Sequence, residues 1–342
     1  MKLASFETIV NISPIEGADR IELATIQGWQ SVVKKGDYKI GDQVIFVPID
    51  TVIRPEEWNK FLWNKDDPSK PIRIKTMKMK GVVSQGVIFP KSLVSAQEIF
   101  DHMDDPTEDV SLAGILGITK YEKPIPASLA GKVAGDFPSI HISKTDEDNL
   151  KSNIECLNEL KQCDEVVITL KIDGTSATYI KDQEGNFKVC SRNLELKEDE
   201  TNAYWKIARK YNLKDVMKNG TAIQGEIAGP NIQGNPLGLN DIELFIFNYK
   251  NLETGKYIDS SSSLEFNILG VKHVPKLSIL KKSAFQYETI ETLQEFANNL
   301  KYDNGKPAEG IVLRGMNDSE YVFSKTLCKM LSVKIINQNF KD

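Results

Sequence analysis

An apolar, β-branched run at residues 166–170 ends on a lysine, Lys171. Asp173-Gly174 follows, and a second alternating run, Thr175-Ser-Ala-Thr-Tyr-Ile180, departs from it. Runs of this kind fit strands and Asp-Gly is a turn signal, so the stretch predicts a strand, a tight turn and a second strand. Lys171 then stands at the mouth of a pocket, with Asp173 on the same side two residues on. A protonated amine is a poor nucleophile. A neighbouring cation or a metal lowers its pKa and makes it usable. A plain hairpin with a solvated lysine satisfies the same pattern, because Asp-Gly is common in hairpin turns. What the rest of the chain carries separates the two readings.

The chain has 342 residues, 40% of them apolar, which is enough for two domains with packed cores. Net charge is -5, so any nucleic-acid contact has to use local basic patches. Cys156, Cys163, Cys190 and Cys328 form no CxxC pair, which argues against a zinc site and implies no disulfide framework. Met1 to Val10 include polar and acidic positions where a leader peptide is apolar. No stretch reaches the length of a membrane span. The expectation is a soluble intracellular protein of the cytosol, nucleus or an organelle, with no membrane partner.

Residues 1–120 carry short strand signals. Ile21–Ile26, Gln30–Val33 and Val44–Val47 are separated by Gly28, Gly36-Asp37 and Gly41-Asp42, and further short runs follow at 72–75, 82–83 and 87–89. Short strands with glycine-bearing turns predict a small barrel of the OB type. Between Lys70 and Lys80 five cations fall in eleven residues, including Arg73, Lys75, Lys78 and Lys80. They read either as a charged edge that blocks aggregation or as a phosphate-tracking face. Residues 121–147, broken by Pro124, Pro126, Gly131, Gly135 and Pro138, read as a connector. From Asp148 to Lys161 the spacing of Leu150, Ile154, Leu157 and Leu160 predicts a helix. Residues 148–342 alternate strand and helix signals, so the fold class expected is α+β on antiparallel sheets.

Further features gather in this second part. Val189-Cys-Ser-Arg192-Asn193 ends a strand on an arginine suited to a ribose hydroxyl or a phosphate. Ala222-Ile-Gln-Gly-Glu226-Ile-Ala-Gly229 sets a carboxylate inside an apolar strand, which is costly without partners. Phe245 and Phe247 share one face of the next strand, as core or as a ring stacked on a base. Glu309 heads the apolar run Gly310-Ile-Val-Leu313. Lys334 lies inside the run 331–336, with Lys325 and Lys329 just before it. An anionic phosphate is a natural partner for such a lysine.

In this order the elements resemble motifs I, Ia, III, IIIa, IV and V of the covalent nucleotidyltransferases, the polynucleotide ligases and mRNA capping enzymes. Motif I is Lys171-Ile-Asp-Gly174, Ia is Ser191-Arg-Asn193, III is the Glu226 strand, IIIa is Phe245 to Asn248, IV is Glu309-Gly-Ile-Val312 and V is the Lys334 strand. Phe137-Pro138 followed by Lys144-Thr-Asp-Glu147 is similar to the connector of the ATP-dependent RNA ligases with an N-terminal OB domain, the amoeboflagellate and Deinococcus-type family. The chain ends just past motif V, at Asp342, which leaves no room for the C-terminal OB domain usual in DNA ligases and capping enzymes.

The resemblance implies an ATP-grasp-like adenylyltransferase domain and an enzyme that joins RNA 3′-OH and 5′-phosphate ends, in a nicked duplex, as a monomer. Lys171 would carry AMP. Leu170, Asp173, Arg192, Glu226, Glu309, Lys329 and Lys334 would line the ATP site with Phe245 or Phe247 on the adenine. Asp173, Glu226 and Glu309 would hold Mg²⁺ or Mn²⁺, and Arg73, Lys75, Lys78 and Lys80 would meet RNA. The chain departs from the pattern twice. Ser332 stands where motif V usually has its first lysine, leaving Lys329 or Lys325 to supply it. Asp148-Asn149 replaces an arginine expected after Lys-Thr-Asp-Glu. A DNA ligase, a GTP-using capping enzyme and an inactive nucleic-acid-binding protein are the alternative readings.

Overall fold

The computed structural model describes residues 2–26, 28–95, 98–99, 112–121, 131–258, 266, 270–318 and 320–340. The chain divides into two compact units, Met1–Pro124 and Ile125–Asp342. Pro124 and Pro126, expected to break the connector, lie outside the described residues. Gly135, read there as a breaker, instead lies in a short strand, Val133–Asp136, paired with Leu194–Leu196.

The first unit is an OB-fold domain. Its main sheet is antiparallel in the order Trp29–Lys34, Ile21–Ile26, Ser5–Pro14, Gln43–Val47, Val87–Pro90. The strand Ser5–Pro14 changes partner part-way. Residues 5–8 pair with 43–46, and past a bulge between Ile9 and Asn11 the strand continues along 22–25. A bulge bends a strand and raises its twist, so one strand serves both halves of a curled sheet. Successive residues of Gln43–Val47 face opposite ways. Val44 and Phe46 join Ile9, Ile26 and Trp29 in one core, and Ile45 and Val47 join Ile53, Ile74 and Phe89 in another. Burial on both faces explains why this strand is a continuous apolar run.

Part of the basic stretch forms a hairpin in the same unit. Met77–Met79 pairs with Val82–Ser84 through Lys80 and Gly81, both at positive φ (49° and 84°), as a two-residue primed turn requires. Lys75, Lys78 and Lys80 are exposed. Arg73 differs from them. Its guanidinium is 3.0 Å from the Asp50 carboxylate and stacks 3.7 Å from the Tyr121 ring centre.

The second unit holds two large sheets and, among its described residues, a two-stranded one pairing Phe323–Ser324 with Lys329–Met330. One runs Val133–Asp136, Leu194–Leu196, Phe187–Cys190, Thr175–Lys181, Thr221–Ala228, Glu243–Asn251, Tyr257–Ile258. The other runs Asp148–Asn149, Ser332–Ile336, Gly310–Asn317, Glu165–Lys171, Lys276–Lys281. Pairing is antiparallel except at 148–149 with 333–334 and 245–246 with 272–273. The helix Ala203–Lys210 packs Trp205, Ile207 and Ala208 on the first sheet. The helices Glu155–Gln162 and Ile290–Asn298 cover the second, where Leu160, Ile168, Leu293 and Leu313 are fully buried. Each such side chain contributes about 1.5–3 kcal/mol.

Two local expectations are corrected. The helix predicted from Asp148 begins only at Glu155. Asp148 and Asn149 instead pair with Val333 and Lys334, and the Asn149 side chain accepts the Lys151 N–H, capping a single 3₁₀ turn, Leu150–Ser152, that ends before the helix. Secondly, Glu165–Lys171 and Thr175–Lys181 are strands, but they do not pair. They belong to different sheets, and Ile172-Asp-Gly174 is the crossing between them.

Candidate active site

That crossing creates the site. Lys171 is the last residue of its strand, opposite Gly310 on the neighbouring strand, so Glu309 comes to the side of the lysine. Lys171 Nζ lies 2.8 Å from Glu309 Oε2, with both side chains largely buried. Glu226 arrives from the other sheet, opposite Ser176 on one side and Phe245 on the other. Gly174 permits this approach, since a Cβ there would run into the Ile227 carbonyl oxygen and come within 3.0 Å of Glu226 Cγ. Gly310 is held as tightly. Its φ is +151°, and a Cβ would run into the Ile335 carbonyl oxygen. Strain of about 1–3 kcal/mol and overpacking of a similar size are therefore expected for Gly310→Ala. The prediction is a clear drop in thermal midpoint together with loss of the Lys171–Glu309 geometry. An unchanged melt would contradict the close approach.

Charge is unevenly balanced here. Burial alone pushes the Lys171 amine down, but the carboxylates of Glu309, Glu226 and Glu147 outweigh it and hold the amine well above its ordinary value. Burial pushes Glu226 up to about 8. The Glu309, Glu147 and Asp173 carboxylates add to this, against the pull of Lys171. A site that keeps a glutamic acid protonated near neutrality is short of positive charge, which suits a cation. The donors are hard oxygens. Among the described residues no group of three or more His, Cys, Asp or Glu is arranged to hold a metal ion. The arrangement fits an ion that takes one or two carboxylates and completes its shell with water and phosphate oxygens, as Mg²⁺ does.

The other predicted residues fall into three places. Leu170 is buried beside Ile172, Ala228 and Phe245, with Phe247 packed against the same cluster. Phe245 carries Lys272 at 5.6 Å from its ring centre, and Phe247 carries the Arg314 guanidinium at 5.5 Å. Arg192 stands off from this group, 2.6 Å from the Asp146 carboxylate. Lys334 lies opposite Val312, two residues along from Gly310 on the same strand. Lys329 is bound to the segment before the nucleophile, donating to the Asp146 carbonyl at 2.7 Å and lying 2.9 Å from the Asp148 carboxylate. Lys325 is exposed. A small cavity of about 50 Å³ is lined by residues 143–147 together with Gln224, Asn248, Tyr257, Lys329, Met330 and Ser332.

Comparison with known proteins agrees with this fold. An OB-fold domain model matches residues 3–91, and the RNA ligase model matches residues 164–331. No curated protein matches the chain. Among solved structures, Naegleria gruberi RNA ligase with PPi is 30% identical, covers 98% of this chain and 97% of its own, and superposes with a TM-score of 0.78. The chain belongs to the RNA ligase family. A glutamate-to-alanine mutant of the same Naegleria gruberi enzyme, with ATP and Mn, gives 30% identity, 99% and 98% coverage and a TM-score of 0.79. A lysine-to-methionine mutant with AMP and Mn gives 30%, 98% and 97%, with a TM-score of 0.78.

Three residues at the centre of this RNA ligase family member escaped the sequence reading. Arg314, 2% exposed, lies five residues past Glu309 and is 3.0 Å from the Glu147 carboxylate. A buried arginine needs such a partner. Its place on an apolar strand was the available signal, the same one that marked Glu226. Glu147 was noted as part of the connector motif and not as a site residue, yet its charge acts on both Lys171 and Glu226. Tyr302 is 5% exposed, and burial pushes its hydroxyl up to about 12. Nothing in Lys301-Tyr-Asp-Asn-Gly305 distinguishes it from an ordinary turn.

Proposed function

We propose that this chain is an ATP-dependent RNA ligase that seals RNA 3′-OH and 5′-phosphate ends through a covalent lysyl–AMP on Lys171. The observation that carries this reading is the Lys171 amine, 2.8 Å from Glu309 at a crossing between two sheets, with Glu226 facing it from the second sheet. In the first step the Lys171 ammonium held on Glu309 passes one proton to solvent water. Nζ then attacks the α-phosphorus of ATP, a nitrogen–phosphorus bond forms, and the bond to pyrophosphate breaks. In the second, the RNA 5′-phosphate oxygen attacks the same phosphorus and frees Lys171. In the third, the RNA 3′-OH attacks the adenylated 5′-phosphate and AMP leaves.

One or two of Asp173, Glu226 and Glu309 would hold Mg²⁺ or Mn²⁺ directly and the others through its waters, and the ion's charge would offset the phosphates and favour the neutral amine. Lys334 and Lys329 favour the charge that develops on the phosphates. Arg192 would hold the ribose, and Phe245 or Phe247 the adenine. The relatives solved with ATP and Mn support this assignment. The test is a denaturing gel after incubation with α-labelled ATP and Mg²⁺, run beside labelled GTP, followed by sealing of matched RNA and DNA nicks. A label from GTP, or sealing of DNA alone, overturns the reading.

The hairpin lysines give a separate prediction. Lys75, Lys78 and Lys80 are proposed to track RNA phosphates, while Arg73 is committed to Asp50 and Tyr121. Neutralising the three lysines should reduce the slope of log affinity against log salt by about 2. Self-adenylation should be retained while sealing of a pre-adenylated end falls. If neither salt slope nor sealing moves, the lysines only keep the hairpin soluble.

A further inference from the structure

Antiparallel pairing between the Lys171 strand and the Glu309 strand ends at Lys171–Gly310. Past that pair the two main chains no longer hydrogen-bond each other directly, and a single hydroxyl bridges them. Tyr302 donates to the Lys171 carbonyl at 3.2 Å and accepts from the Asp173 N–H at 3.2 Å and the Glu309 N–H at 3.3 Å. A phenol has one proton to give and lone pairs to receive, so these three bonds use its capacity. All three partners are main-chain groups of residues to which the proposed function assigns chemistry.

The tyrosine is itself fixed. Its ring is buried with Leu170, Ile172, Ala228, Val274 and Ala308. Its own N–H donates to the Lys306 carbonyl at 2.9 Å, and Ala308 donates to the Leu300 carbonyl at 3.0 Å. The Asn337 amide closes the base of the same loop on the Leu300 and Ala308 carbonyls. The loop therefore delivers a rigid hydroxyl a few residues ahead of Glu309.

We propose that Tyr302 is a positioning residue that fixes the spacing between the Lys171 nucleophile and Glu309, where the sheet pairing between their strands stops. The inference rests on the proposed function. Removing the hydroxyl takes the partner from two N–H groups and a carbonyl, and leaving buried polar groups in that state is strongly unfavourable. The segments then relax apart, and a shift of about 1 Å at a reacting centre costs as much as 100-fold in rate.

The experiment compares Tyr302→Phe with wild type in two single-turnover reactions on the same preparation: self-adenylation at saturating ATP, and sealing of a pre-adenylated RNA nick. The expected result is a fall of about 10- to 100-fold in self-adenylation, with half-saturating ATP changed by less than about threefold because uniform binding is untouched. Sealing from the pre-adenylated end, in which Lys171 is not the nucleophile, should lose at least about tenfold less than self-adenylation. Equal losses in both reactions, including those of a variant that fails to fold, overturn the proposal, as does an unchanged self-adenylation rate. If wild type itself takes no label from ATP, the proposed function falls and this inference falls with it. If wild type labels and only the ratio of losses is wrong, the proposed function stands alone.

Discussion

Lys171→Met should abolish covalent labelling by α-labelled ATP and leave ATP binding in place. Methionine keeps the length and apolar stem of lysine but offers no amine. The proposed adenine and ribose contacts, Phe245 or Phe247 and Arg192, lie elsewhere on the chain and should remain. Other lysines do not substitute, because their places in the fold differ. Lys334 is on a different strand, facing Val312, and Lys329 is tied to the Asp146 carbonyl and the Asp148 carboxylate. A label that persists in Lys171→Met sinks the central assignment.

The same variant has a consequence for stability. Lys171 is the cation that draws Glu226 down. Without it Glu226 binds its proton more tightly in the folded state, so the variant should lose stability relative to wild type as pH rises. Breaking a buried ion pair costs about 3–5 kcal/mol when the remaining charge has no relief; here protonation supplies relief at low pH. Thermal melts of both proteins across the neutral range check the sign. The gap should widen with pH, and a constant gap would mean that Lys171 and the carboxylates are not coupled.

The parts of the site legible in the sequence were those that violate a burial rule. A lysine closing an apolar run, and glutamates within or heading such runs, are expensive unless partnered, and Lys171, Glu226 and Glu309 do meet. The barrel strands were legible where both faces are apolar. The strand Ser5–Pro14 was not, because its residues are mostly exposed or half-buried and its bulge breaks the alternation. The crossing at Ile172-Asp-Gly174 was hidden for another reason. Asp-Gly gives the same signal in a hairpin, and strand pairing is decided by partners far along the chain. Lys171 pairs with Gly310, and Thr175 with Ile227. Arg314 meets Glu147 across 167 residues. The Tyr302 hydroxyl depends on the same long-range assembly. Local pattern placed the chemistry on its strands; only the fold shows which main-chain groups hold it there.

Glu309→Gln should lower both divalent-cation affinity and the self-adenylation rate, the latter by about 100-fold, since a metal's charge stabilisation is worth several kcal/mol. The amide keeps the shape and still accepts a hydrogen bond from Lys171, so packing is little altered. The pH dependence tells a metal role from a packing role. In the wild type, Glu226 is held up to about 8, so a cation has to displace a proton there through the neutral range. Cation affinity should therefore rise with pH until about 8 and then level off. Glu309 is one of the charges that raise Glu226. Replacing it with a neutral amide lowers the Glu226 pKa and moves that rise to lower pH, even though the maximum affinity is weaker. Linkage gives the matching sign for the metal-free fold. The folded Glu226 value lies above the unfolded one, so its stabilising contribution is full below about 4.3 and is lost as pH climbs through about 8. Divalent cation should restore stability most where that loss is greatest, at the alkaline end. Calorimetric titration with Mn²⁺ across this range, on wild type and Glu309→Gln, measures both effects. Full activity of Glu309→Gln at ordinary Mg²⁺, or cation affinity independent of pH, would remove Glu309 and Glu226 from the metal site.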